Sequence, residues 1–292
     1  MGYGSYSLND RSVRADSMGF YTKSISEVFE SKNLNESMNP KNVTLRESRD
    51  SKEHPNSIAI ILGLDVTGSM GYIPQELIKD GLPTIMANII EHGNPDPQVM
   101  FLAIGDHKVD RAPLQISQFE SNDELLDHWL TKTWLEGGGG GNDGESYSLA
   151  HYFAAKHTVI DCLEKRNQKG FLFTIGDDKP HTHYSSEILK NLLGDTDIKN
   201  SYSDVDLLKL AQEKYHVYHI HVGPQEASNG VKNRWKELLN ENCLIVPNYK
   251  DVAKTIAETV VANTRTSVKS TWNDDVIVNK VKEETNETDI IL

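Results

Sequence analysis

The sequence predicts an α/β protein: a doubly wound, Rossmann-like, mostly parallel six-stranded sheet with helices on both faces and one antiparallel edge strand. Three observations carry that expectation. Short continuous runs of β-branched residues alternate with segments of helical period, the pattern of a parallel sheet buried on both faces. Polar residues gather after the strands rather than before them, as at the carboxyl ends of an open α/β sheet. The 292 residues, 37% hydrophobic and 25% charged, allow one large core with ample polar surface.

Each element has its own signal. "SIAIILGL" from Ser57 reads as a buried strand. In "IPQELIKDGLPTIMANIIEHG", Ile73, Leu77, Leu82, Ile85, Met86, Ile89 and Ile90 recur near helical spacing. Pro74 suits a first turn, Pro83 should kink the helix and Gly93 should stop it. "VMFLAIG" is a second buried strand, and "APLQISQFE" is shorter and more polar, as an edge strand would be. "NDELLDHWLTKTW" is an amphipathic helix capped by Asn122 or Ser121. After five glycines, "ESYSLAHYFAAKHTVIDCLEK" reads as one helix and "GFLFTIG" as a strand. Then "DVDLLKLAQEKY", "VKNRWKELLN" and "YKDVAKTIAETVVANT" are helices, with "VYHIHVG" and "CLIVP" as the strands between them.

Residues 1–56 differ in texture: rich in Ser, Asn and Arg, with scattered apolar positions and one short helical signal at "SISEVFES". They form a polar, partly flexible arm. Partial docking is expected, because Phe20, Tyr21, Val28 and Phe29 would be costly to expose together. Residues 57–264 form the domain, and residues 265–292 a polar, acidic tail.

Charge and composition exclude several classes. A net charge of -13 opposes nucleic-acid binding and favours cationic partners, either metal ions or basic protein surfaces. No apolar run approaches a membrane span, and "MGYGSYSLNDRSVRAD" lacks the apolar stretch of a signal peptide. Gly2 is not followed by a myristoylation pattern. Cys162 and Cys243 show neither disulfide nor zinc spacing, so a cytoplasmic location is expected.

The chemistry lies at the strand ends. Asp65, Thr67 and Ser69 follow the first strand in "LGLDVTGSMG", Asp106 the second, and Asp177 and Asp178 follow "GFLFTIG". With a strand order of 3-2-1-4-5-6, Asp106, Asp65 and Asp177 end neighbouring strands about 4.8 Å apart. Crowded carboxylates must be protonated, solvated or neutralised by a cation. Oxygen donors suit Mg²⁺ or Mn²⁺ better than Zn²⁺.

"DVTGSM" resembles the Asp-x-Ser/Thr-x-Ser motif of von Willebrand factor type A domains, the first part of their metal-ion-dependent adhesion site. "GGGNDGES" is similar to the family variant Gly-Gly-Gly-Asp-x-Pro-Glu-Ser. Matching Glu145 and Ser146 puts Asn142 at the ligand position, with Asp143 as the alternative donor. "TIGDDKPH" resembles Asp-x-Pro-Pro-His and puts the third element on Asp177. The resemblance spans residues 57–264 and implies an intracellular bacterial or phage-type member. It implies Mg²⁺ or Mn²⁺ held by Asp65, Thr67, Ser69, Asn142 or Asp143, and Asp177, with Glu145 behind the ligands. Asp106 either supports a ligand in the same way or caps a solvated turn. In such a module nothing is catalytic, and a protein partner's Asp or Glu fills the open metal position.

Other readings stay in view. Asp residues around a metal also suit a phosphoester hydrolase, but the only nearby cations, Lys108 and Arg111, sit on a loop expected to be mobile. The arm and tail would also suit a structural component of a larger assembly such as a virion. His181 with His183, or His219 with His221, could reach a metal. The second pair alternates along a strand and is expected to pack under a helix. Asp178 is expected at the surface. The glycines lack a phosphate-loop continuation and are expected to bring backbone close to the metal. Tyr72 is expected to staple its helix.

Overall fold

The computed structural model describes residues 5–68, 70–92, 96–137, 144–198, 200–223 and 229–264. Ser69, Gly93, Asn142, Asp143 and the acidic tail lie outside them. The centre is a six-stranded, mostly parallel sheet. Its strands are β1 (Ile58–Asp65), β2 (Pro97–Ile104), β3 (Leu114–Ile116), β4 (Gly170–Gly176), β5 (Tyr215–Val222) and β6 (Cys243–Val246). The spatial order is β6-β5-β4-β1-β2-β3, and β3 runs antiparallel to β2. Register places Asp65 beside Ile104 and Leu64 beside Ile175, so β1, β2 and β4 end at one rim.

Every residue of β1 and β2 is buried, which is why their sequences are apolar without alternation. Side chains still alternate between faces. Ile58, Ile60, Leu62 and Leu64 join a core with Leu82, Ile85, Ile89, Leu126, Ile256 and Val260. Ala59 and Ile61 join a second core with Leu149, Phe153, Leu189, Leu207 and Trp235. Helices therefore cover both faces.

Residues 5–56 pack on this body. Helix α1 (Leu8–Met18) is capped by Ser7, whose Oγ accepts from Asp10 N at 3.2 Å, and ends at Gly19 with φ +71°. Arg11 is fully buried. Its guanidinium donates to the Ile78 carbonyl and lies 3.0 Å from Asp127. Arg14 pairs with Asp123 at 2.6 Å and Asp127 at 2.9 Å. Further along, the turns Glu36–Met38 and Pro40–Asn42 pack against β3, and Arg46–Ser48 forms a parallel pair with Thr158–Ile160. Phe20, Val28 and Phe29 are buried, whereas Tyr21 is exposed.

Two local expectations are corrected. The helix beginning at Tyr72 changes to a π-helical turn at Leu77–Gly81, before Pro83, and resumes as Leu82–Glu91. Arg11 binds a carbonyl of that turn. The stretch read as one long helix divides into α2 (Tyr147–Lys156), the strand Thr158–Ile160 and a short helix, Asp161–Arg166. Its β-branched residues prefer extended backbone, and Arg46–Ser48 supplies their ladder. β3 is the antiparallel edge strand that the sequence predicts, and it is buried throughout, beneath the turns Glu36–Met38 and Pro40–Asn42. Gln115 spends its amide on the backbone of Trp134, donating to the carbonyl at 2.8 Å and accepting from the N–H at 2.9 Å. Two helices lie outside the expectation from sequence: α1 and α3 (Ser186–Leu193), the latter capped by Ser185.

Candidate functional site

Asp65 is the last residue of β1 and has no exposed surface. Its Oδ1 accepts from Thr67 N at 2.9 Å and from Thr67 Oγ1 at 2.6 Å. Its Oδ2 accepts from Tyr147 Oη at 2.5 Å. Tyr147 opens α2, one residue after Ser146, and is itself fully buried. Its ring lies 5.4 Å from both His219 and Trp235, edge-on to each. Gly176, ending β4, admits this contact: a Cβ there would overlap Tyr147 Oη and stand 2.8 Å from Asp65 Oδ2.

Burial is the main cause that raises the Asp65 pKa, to about 6. The hydrogen bonds from Thr67 and Tyr147 oppose it, and the charge of Asp177 adds to it. Burial and the neighbouring Asp65 likewise push the Tyr147 phenol well above its ordinary range. Glu145 goes further. Burial, then repulsion from Asp65, Asp106, Asp110 and Asp178, lifts its carboxyl to about 9. Its Oε2 is buried without a hydrogen-bond partner. Acidic oxygens therefore crowd one rim.

Three loops are stitched together there. Ser146 N donates to Gly105 O at 3.1 Å, Glu145 N to Lys179 O at 2.9 Å, and His181 N to Glu145 O at 3.1 Å. The segment entering α2 thus bridges the ends of β2 and β4. Gly144, at φ +128°, lets the chain pass close: a Cβ would stand 2.9 Å from Lys179 O.

Beyond β2, Asp106 is fully buried and is not a solvated cap. Its Oδ1 lies 2.7 Å from His181 Nε2 and accepts from Lys108 N at 3.0 Å. Its backbone N donates to Asp110 Oδ2 at 2.7 Å. His107 meets Ser146 Oγ through its backbone N at 2.9 Å and its Nδ1 at 2.7 Å. Burial, then the proximity of His181, depresses the His107 pKa to about 4. One donor atom each from Asp106, His107 and His181 lie within 4.8 Å of one another, a group that could hold a metal. A cleft of about 1070 Å³ opens beside them, lined also by Lys108, Lys179, His183 and Arg234.

Asp65, Thr67, Glu145 and Asp177 thus gather at the rim. Asp106 joins a histidine pair that motif spacing does not assemble, although "GDH" and "KPH" follow the two strands that flank β1 and are the available signal. His183 is exposed and stays out of the group. His219 stacks on Trp235 at 3.7 Å and reaches Thr174 Oγ1 at 2.9 Å, so it packs under a helix. Asp178 is half-buried, and its carbonyl accepts from Trp235 Nε1. Tyr72 packs on Tyr249 at 4.8 Å. The loop carrying Lys108 and Arg111 is tethered: Arg111 pairs with Glu136 at 2.9 Å and lies 4.7 Å over Trp134.

The fold and site define an α/β protein with an acidic rim at the carboxyl ends of its central strands. No family model matches the chain, and no curated protein matches it. Among solved structures it is similar to the pilus adhesin SpaC from Lactobacillus rhamnosus GG in its open conformation. The identity is 9% over 75% of this chain and 31% of that one, with a TM-score of 0.46. It is also similar to proximal thread matrix protein 1 from the mussel byssus, at 12% identity over 70% of this chain and 48% of that one, with a TM-score of 0.45. The chain therefore spans 31% and 48% of those proteins' lengths.

Proposed function

We propose that the chain is a non-catalytic, metal-dependent protein-interaction module, built on the doubly wound, Rossmann-like plan of a von Willebrand factor type A domain. The observation that carries this reading is the crowding of Asp65, Glu145 and Asp177 at one rim, with Glu145 Oε2 buried and unpartnered. A hard divalent cation neutralises such a set, and the donors are all oxygen. Thr67 Oγ1 gives its proton to Asp65 and keeps lone pairs for the ion. Mg²⁺ or Mn²⁺ held there, with Ser69 and Asn142 or Asp143 completing the set, leaves a position for a partner's Asp or Glu. Cys162 and Cys243 are buried free thiols, which favours a reducing, cytoplasmic setting. Among the described residues no helix is long and apolar enough to cross a membrane.

Calorimetric titration of the chelator-treated, folded protein with Mg²⁺ and Mn²⁺ tests the reading. Wild type should bind one equivalent, and Asp65→Ala should abolish the heat while keeping the fold. No heat from folded wild type with either ion overturns it. A second reading, a metal-dependent phosphoester hydrolase, is favoured by one feature: the cleft beside His107 and His181, with Lys108 and Lys179 on its wall. Turnover of generic phosphoesters that Asp65→Ala removes would establish that reading instead.

A further inference from the structure

We infer that Asp106, His107 and His181 form a second cation site, chemically distinct from the oxygen rim and suited to a borderline transition ion such as Zn²⁺ or Co²⁺. The donor set is the first reason. Two imidazoles and one carboxylate select transition ions, whereas an all-oxygen set selects Mg²⁺ or Mn²⁺. Geometry is the second. His181 Nε2 lies 2.7 Å from Asp106 Oδ1, and His107 Nδ1 lies 4.0 Å from the same oxygen. Zn²⁺ holds N and O donors at roughly 2.0–2.2 Å, which sets donor–donor separations of about 2.9–3.5 Å. One contact opens slightly, the second closes by about half an ångström, and the two imidazole donors, within 4.8 Å of each other, close by up to about 1–2 Å, changes that side-chain rotation supplies.

The surroundings are the third reason. The 2.7 Å contact between Ser146 Oγ and His107 Nδ1 would be exchanged for the ion, while Lys108 N and Asp110 hold the Asp106 loop and Ser146 Oγ accepts from the His107 backbone N. Supports of this kind orient metal ligands. The two imidazoles meet edge to face at 4.9 Å, each carried by a different strand-end loop. Both histidines also line the 1070 Å³ cleft, so three protein donors would leave the remaining coordination positions open to a ligand entering it.

The test uses the full chain after chelator treatment. Co²⁺ is titrated in and its visible absorption followed, with Zn²⁺ as competitor. With excess Mg²⁺ present to fill the oxygen rim, wild type should take up one equivalent of Co²⁺ in an intense visible band that Zn²⁺ displaces. His107→Ala and His181→Ala should each weaken uptake by about 100-fold or more, since removing a supporting partner alone typically costs 10–100-fold. His183→Ala, on the same cleft wall, should leave it unchanged. Asp65→Ala should also leave the Co²⁺ band in place. A Co²⁺ band that survives both histidine substitutions overturns the proposal, and so does one lost in Asp65→Ala and kept in the histidine variants. Should the histidine variants fail to fold, imidazole ¹⁵N signals of wild type decide. Zn²⁺ should shift those of two histidines, and a spectrum that Zn²⁺ leaves unmoved overturns the site. Because Mg²⁺ heats report on the oxygen rim, either site can fail without the other.

Discussion

Gly176→Ala is the most informative single change in this protein. The added Cβ would overlap Tyr147 Oη, stand 2.7 Å from its Cζ and lie 2.8 Å from Asp65 Oδ2. The phenol cannot retreat freely, because its ring is wedged edge-on against His219 and Trp235. The hydrogen bond to Asp65 must therefore break, at roughly 1.5–3 kcal/mol for a bond to a charged group. Forcing the ring aside adds about 1–3 kcal/mol of overpacking strain. A total of about 4 kcal/mol follows, which lowers the Tm by on the order of 10 °C. Denaturant titration and thermal melting of wild type, Gly176→Ala, Tyr147→Phe and the double variant measure it. Tyr147→Phe alone should cost about 2 kcal/mol. In the double variant the hydrogen bond is lost only once, so its cost should fall short of the sum by about 1–2 kcal/mol. Gly230→Ala is the control, since a Cβ there meets nothing within 4 Å. It should be neutral or stabilise by up to about 1 kcal/mol. A Gly176→Ala protein within about 1 kcal/mol of wild type, or strict additivity in the double variant, would refute the reasoning.

Two further outcomes are expected. Burial alone would raise the Asp50 pKa, but hydrogen bonds from Arg166 and Ser57 outweigh it and hold the carboxyl down at about 2. A depressed carboxylate contributes stability above its ordinary value near 4, and that contribution is lost as pH falls toward 2. Asp50→Asn should cost about 1–2 kcal/mol at neutral pH and flatten the acid limb of the urea midpoint between pH 4 and 2; an unchanged limb would show that Asp50 is not its source. Arg11→Ala strips a buried cation from Asp127 and the Ile78 carbonyl. It should cost about 3 kcal/mol in chemical denaturation, and an unshifted midpoint would remove α1 from the folding unit.

The central strands were legible because burial on both faces leaves an uninterrupted apolar run, as in Ile58–Leu62. β3 is legible as an antiparallel edge strand, but its burial is not, because Gln115 is polar in sequence and its amide is satisfied by the backbone of Trp134. Thr158–Ile160 reads as helix in sequence because its ladder partner, Arg46–Ser48, lies more than a hundred residues upstream. The same distinction divides the site. Asp65 with Thr67 is a local turn, two residues apart, and a motif records it. The Tyr147–Asp65 and His181–Asp106 contacts span 82 and 75 residues, and no local spacing encodes them. Only the strand order brings those loops together.

The docking of residues 5–56 has a consequence for biosynthesis. This segment leaves the ribosome before the residues it binds, which are made much later. Arg14 and its partner Asp127 are 113 residues apart, and Arg46–Ser48 must wait for Thr158–Ile160. At translation rates of about 5–20 residues per second, Arg14 is available roughly 6–23 seconds before Asp127 emerges. During that interval Phe20, Phe29 and Met38, all buried in the finished protein, have no surface to cover them. The nascent chain therefore carries the unpaired apolar side chains of this segment until residues 127–160 emerge, and this is the stage at which it depends most on holdase chaperones.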